Sequence, residues 1–113
     1  MKIDFLSAFN LIRRDKLLRL VEDIAPKLYP FLHQCYSESS NLIYGELIIL
    51  SQRGIQQGDP LGPALFCLMV NALVKSLESE FNVWYLDDAS IGDIPEIVLK
   101  DFKNILKISS ELG

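Results

Sequence analysis

The spacing of apolar positions changes period several times along the chain, and each change marks a new element. Ile3 and Phe5 to Leu6 give Lys2–Leu6 the look of a short strand, and Leu17, Leu18, Val21 and Ile24 then recur at helical spacing behind Asp15, read as the N-cap. Leu28, Phe31, Leu32 and Tyr36 continue an apolar face into a second helix, with Pro26 in its first turn and Pro30 bending or delaying it. After the polar break Ser37–Ser40, Leu42–Tyr44 and Leu47–Ser51 read as strands around Gly45-Glu46, a tight turn with glycine at its first central position. Gly54–Gly62, rich in glycine and holding Pro60, is a loop, and Pro63 opens a helix through Leu65, Leu68, Met69, Ala72 and Leu77 to about Glu80. Val83–Tyr85 and Ala89–Ile91 are short strands flanking Leu86-Asp87-Asp88. A last helix runs from Pro95 to Leu112, with Val98, Phe102, Ile105 and Leu112 inward.

Helices alternating with antiparallel hairpins predict an α+β fold, a small antiparallel sheet with helices packed on one face. The expected core is Phe5, Leu18, Val21, Leu65, Leu68, Met69, Leu73, Val83, Phe102 and Ile105. With 113 residues, 50% of them hydrophobic and 23% charged, the chain has the makeup of one folded domain and not of a disordered segment. The longest apolar run, Pro63–Val70, is far short of the roughly 20 residues of a membrane span, and no leader pattern follows Met1, so a soluble, intracellular protein of the cytoplasm or nucleus is expected. Cys35 and Cys67 are expected as buried free thiols, and with His33 they form no zinc pattern. The net charge of -4 counts against a simple nucleic-acid-binding domain, which carries a basic surface.

Two features carry chemistry. Asp4 lies in an apolar strand, and Asp87-Asp88 lie at a hairpin tip. Nucleotidyl transfer is an in-line attack on phosphorus, in which the protein positions groups and neutralises charge. Two or three carboxylates on rigid neighbouring strands are what two magnesium ions need for that work. Asp-Asp in a turn is also ordinary turn chemistry, and a single Asp in a short strand also suits a sheet edge, so spacing alone favours the plainer reading. The second feature is Gln52-Arg53-Gly54-Ile55-Gln56-Gln57-Gly58-Asp59-Pro60-Leu61-Gly62-Pro63. Its glycines permit close backbone approach to a ligand, and Pro63 opens a helix whose N-terminus suits negative charge. A long surface loop is the other reading of the same residues.

Three segments together resemble the reverse transcriptases, especially those of non-LTR retrotransposons. Asp4-Phe5-Leu6-Ser7-Ala8-Phe9-Asn10 is similar to the first motif of their palm, Gly54–Phe66 to the second, and Tyr85-Leu86-Asp87-Asp88 to the Tyr-x-Asp-Asp signature of the third. Glu111-Leu112-Gly113 resembles the start of the next. The resemblance implies a partial reverse transcriptase domain over 1–113, a palm, with a basic fingers segment expected before residue 1 and a thumb after residue 113. It implies Asp4, Asp87 and Asp88 as catalytic carboxylates and ligands of two Mg2+ ions, Asp4 and Asp87 as the principal pair and Asp88 in a more supporting part, with Mn2+ as a substitute. Phe9 would lie under the sugar of the incoming nucleotide and exclude a 2′-hydroxyl. Gln57 and Gly58 would line the nucleotide and template pocket, and Tyr85 would approach the primer end. The partners implied are an RNA template, a DNA primer and deoxynucleoside triphosphates, with weak nucleic-acid binding by this acidic chain alone and no membrane. The family often has serine where Gly62 stands, which removes one hydroxyl contact. An inactive, truncated retroelement remnant is the alternative to an active RNA-directed DNA polymerase.

Overall fold

The computed structural model describes all 113 residues. It runs β1 (Lys2–Asp4), α1 (Ala8–Leu11), α2 (Arg14–Ile24), α3 (Tyr29–Tyr36), β2 (Ser40–Tyr44), β3 (Leu47–Ser51), α4 (Gly62–Lys75), β4 (Phe81–Tyr85), β5 (Asp88–Gly92) and α5 (Pro95–Leu112). The fold is α+β, as the pattern predicts. Strands β1, β5 and β4 form one antiparallel sheet with β5 in the middle, and β2 and β3 pair only with each other. Gly45 alone takes a positive φ (60°) in the β2–β3 turn, which is the conformation a glycine at that place allows.

Alternation along the three-stranded sheet gives it two different faces. Ala89 and Ile91 of β5, Trp84 of β4 and Ile3 of β1 face inward, against Leu73 of α4 and Ile105 of α5. Lys2, Asp4, Asp88, Ser90, Val83 and Tyr85 occupy the opposite face, which no helix covers. A second core joins α2, α3 and the first half of α4 through Leu17, Val21, Leu32, Tyr36, Leu65, Phe66, Met69 and others, ten buried residues in all. Each fully buried apolar side chain contributes roughly 1.5–3 kcal/mol. The ten-residue cluster therefore outweighs the three-residue one, and the sheet that carries the acidic residues rests on the thinner support. Helix α4 spans both.

Several local expectations are corrected. Asp15 is not the N-cap of α2. Arg13 holds that place, and Asp15 sits in the first turn with its carboxylate 2.8 Å from the Arg13 guanidinium. Pro26 lies in the turn between α2 and α3 and not in a helix, whereas Pro30 delays α3 as expected: it falls in the helix's first turn, where its missing N–H costs nothing. Helix α4 stops at Lys75 and does not reach Glu80. The reason is a competing acceptor: the buried Asp101 carboxylate takes the N–H groups of Glu78 (3.0 Å) and Ser79 (2.8 Å), while the Asn82 side-chain amide donates to the Val74 carbonyl (3.1 Å) that a longer helix would have used. Val83 is 55% exposed and Phe102 37% exposed, so neither belongs to the core. The period of two sends Val83 to the open face, and Asp101 takes the inward position beside Phe102. Phe5, Leu18 and Leu68 are half-buried. Cys35 and Cys67 are unpaired, as expected, but neither is fully buried: Cys35 is half-buried, and α4 turns Cys67 to the surface. No helix is long and apolar enough to cross a membrane.

Candidate active site

The β4–β5 hairpin closes through the two residues Leu86 and Asp87, because Tyr85 pairs with Asp88. Leu86 takes a positive φ of 53°, an uncommon conformation for a bulky residue that costs about 1–2 kcal/mol. Its side chain packs against the larger core, and that contact offsets the strain. Strand β1 then adds to the other side of β5, with Asp4 as the register partner of Asp88. Asp4, Asp88 and Tyr85 consequently form one row across the open face of the sheet. The Phe5 N–H donates to the Asp87 carbonyl (3.3 Å), which makes Asp4 and Asp88 a non-hydrogen-bonded pair, the kind whose side chains stand closer together. Like charges directly opposite in such a pair destabilise the sheet unless a cation lies between them.

Asp87 belongs to the next feature as well. It is half-buried at the tip and lines a groove of about 530 Å³ together with Phe9, Gln57 and Gly58. Phe9 comes from α1 and lies flat on Phe66 of α4, with ring centroids 4.6 Å apart and planes 8° apart, so its orientation at the groove wall is fixed by packing. The structure thus divides the expected residues into two adjoining sets. Asp4, Asp88 and Tyr85 share the sheet face, and Phe9, Gln57 and Gly58 share the groove, with Asp87 at the join. Tyr85 does not line the groove.

The glycine loop is stitched to the segment after β1. Gly54 N–H donates to the Ile12 carbonyl (2.9 Å) and Ile55 N–H to the Phe9 carbonyl (2.7 Å). Gly54 has φ +77°, and a Cβ there would stand 2.6 Å from the Asn10 backbone, so the close approach requires glycine. Farther on, Asp59 N–H donates to the Gln56 carbonyl (3.2 Å) and Gly58 takes φ +91°. This is a turn of type II, with Gly58 at the third position, where positive φ is required, and Gln57 exposed at the corner. At Gly62 a Cβ would come within 3.2 Å of Ile55 Cγ2, so the small residue fits where the family often has serine.

Sequence reasoning missed the residues that hold this loop from beneath. Arg14 is buried, and its guanidinium donates to the Gly54 carbonyl (2.9 Å), the Ser51 carbonyl (2.9 Å), Ser51 Oγ (2.8 Å) and the Arg53 carbonyl (3.2 Å). It also lies 5.3 Å over the Tyr36 ring. Burial lowers its pKa from the usual value, and no carboxylate pairs with it directly. The Tyr36 hydroxyl donates to the Asp59 carboxylate and accepts from the Gln56 N–H (3.3 Å). Burial first, and then the Asp59 carboxylate, push the Tyr36 phenol up to about 12. An arginine opening a helical pattern reads as solvent-facing, and Tyr36 reads only as part of an apolar stripe. The one local signal was Asp59 directly after Gly58, a residue type that hydrogen-bonds nearby backbone at turns.

No three carboxylate, imidazole or thiol side chains are drawn together as a ready ion site. What the fold supplies is a set of hard oxygen donors on adjacent strands and their turn, which suits magnesium in donor chemistry and in backbone placement. Asp4, Asp87 and Asp88 are the residues that would hold such an ion.

A family model described as reverse transcriptase (RNA-dependent DNA polymerase) matches residues 1–109. No curated protein matches the chain. The family match takes in the acidic strand, the glycine loop and the hairpin tip alike, and with that geometry beneath it, the chain belongs to the reverse transcriptase (RNA-dependent DNA polymerase) family.

Proposed function

We propose that this chain forms the catalytic palm of an RNA-directed DNA polymerase of the non-LTR retrotransposon type, adding deoxynucleotides to a primer on an RNA template. The observation that carries it is the register of Asp4 with Asp88, with Asp87 turning from that row into the groove walled by Phe9, Gln57 and Gly58. Two Mg2+ ions held by Asp4, Asp87 and Asp88 would activate the primer 3′-hydroxyl and stabilise the leaving pyrophosphate. The chain's own part is positional. Asp4 and Asp88 present two carboxylates on one open face. Phe9, clamped on Phe66, narrows the groove and selects against a 2′-hydroxyl. Gln57 at its turn corner meets the nucleotide or template, and Tyr85, in the same row as the carboxylates, meets the primer end. With a net charge of -4, the chain alone binds nucleic acid weakly.

The test joins a binding and an activity measurement. Mn2+ or Mg2+ raises the melting temperature of the wild-type chain, and Asp4→Asn or Asp88→Asn raises the ion-free melting temperature while abolishing the response to ion. Incorporation of a deoxynucleotide on an RNA template with an annealed DNA primer falls by at least about a thousandfold in Asp87→Asn, the loss of several kcal/mol of charge stabilisation. An ion response without incorporation by the wild type favours the inactive remnant. No ion response overturns the catalytic assignment.

A further inference from the structure

Two residues at the base of the Gln56–Asp59 turn are tied to one buried hydroxyl. The Gln56 N–H donates to Tyr36 Oη, and the same hydroxyl donates to the Asp59 carboxylate. The other oxygen of that carboxylate accepts the Leu61 N–H (2.9 Å), which fixes the step from the turn toward α4. The Gln56 side chain donates to Ser40 Oγ (3.3 Å). Both flanks of the turn are thereby held, and only Gln57 and Gly58 are free to project.

Arg14 packs over the ring that carries this hydroxyl. It uses four N–H···O contacts on Ser51, Arg53 and Gly54, the residues that lead from β3 into the loop, and it lies over the Tyr36 ring. The planar fork of an arginine reaches three carbonyl groups and a hydroxyl at once, which a lysine ammonium cannot reproduce. No buried side-chain donor or acceptor in the chain lacks a partner, so the network is satisfied and has one well-defined arrangement. None of Arg14, Tyr36 and Ser51 lines the groove.

We propose that the buried Arg14 and Tyr36 and the half-buried Asp59 form a positioning network that sets the Gln56–Asp59 turn and so determines where Gln57 meets the incoming deoxynucleotide. The network is structural in its contacts and specific in its effect: it fixes a substrate-facing corner without itself touching substrate through Arg14 or Tyr36. The claim about the nucleotide rests on the polymerase assignment above, whereas the claim about the turn does not.

Two measurements separate them. The first is amide hydrogen exchange on the 113-residue chain. Tyr36→Phe keeps the ring under Arg14 and removes only the hydroxyl, and Asp59→Asn keeps the shape of the acceptor. Each variant is expected to raise exchange at Gln56 and Asp59 by about tenfold or more while the amides of α5 and β5 exchange as in the wild type. The double variant is expected to show little beyond either single one, because the two groups act as a unit. Uniform acceleration along the chain, or an unchanged turn, overturns the network. Arg14→Lys supplies a second probe, and loosening confined to residues 51–59 agrees with the proposal. The second measurement is incorporation of dTTP opposite an RNA template. Tyr36→Phe is expected to raise KM for dTTP by about tenfold with kcat within a fewfold of wild type, the mark of a misplaced binding contact. A fall in kcat at unchanged KM overturns the role toward the nucleotide. If the wild type incorporates nothing, the polymerase assignment fails and the exchange data still decide the network.

Discussion

Asp101 is the most deeply buried charged side chain, and its environment is built to keep it charged. Burial is the largest influence and pushes its carboxyl up, but the Glu78 N–H, the Ser79 hydroxyl and the Ser79 N–H together outweigh it and hold the pKa below the usual 3.8. A carboxyl depressed in the folded state stabilises the protein above its unfolded pKa and loses that contribution as pH falls through the folded value. Acid should therefore release the segment after α4 below about pH 4, near the unfolded value of an aspartate. Asp101→Asn should destabilise the chain by about 1–3 kcal/mol at neutral pH, because its amide then faces donors that need an acceptor. Urea unfolding of both proteins at neutral and acid pH checks this, and the gap between them should narrow in acid. The residue also shows what patterning hides. A single Asp in a helical stretch reads as solvated, and nothing local announces that it will terminate a different helix by capturing that helix's next amides.

At the level of elements, the loop before α4 is held by backbone geometry at one end and by side chains at the other. Gly54→Ala places a methyl against the Asn10 backbone at a positive φ, and should cost at least about 2 kcal/mol by thermal or urea unfolding. Gly58→Ala meets open space, so its penalty should be the smaller one, confined to conformation. Much of this organisation was legible beforehand. Helix α5 was expected from Pro95 to Leu112 and runs there, and both hairpins lie on the expected apolar runs and turns, except that Asp88, expected at the tip, opens β5. Such elements depend on local periodicity and turn chemistry, which a sequence displays. The carboxylate row was legible only as far as its strands. That Asp4 stands opposite Asp88, and that Asp87 turns away into the groove, follows from register between distant segments. The Arg14–Tyr36–Asp59 contacts and the early end of α4 are likewise tertiary, and no spacing rule reports them.

Across the whole molecule, burial is uneven. The β2–β3 ribbon exposes Leu42, Ile43, Tyr44, Leu47, Ile48, Ile49 and Leu50, each between 53% and 78% accessible. An apolar ribbon of that length is an aggregation liability in the isolated chain. Ile43 and Ile48 are register partners, so the pair Ile43→Glu with Ile48→Lys places opposite charges across the strands. The double variant should raise the concentration at which the chain stays monomeric in sedimentation experiments, with a melting temperature within a few degrees of wild type, since neither side chain supports a core. The acidic row has a different consequence. Strand β1 precedes every other element in chain order, and β5, its partner, follows all of them but α5. Asp4 must wait through synthesis of the whole stretch from α1 to β4 before it meets Asp88, although the α2–α4 cluster has all its buried members well before then. A chain arrested partway thus holds Phe9 and the glycine loop yet no acidic row, and the row of carboxylates exists only in molecules whose translation has passed the hairpin tip.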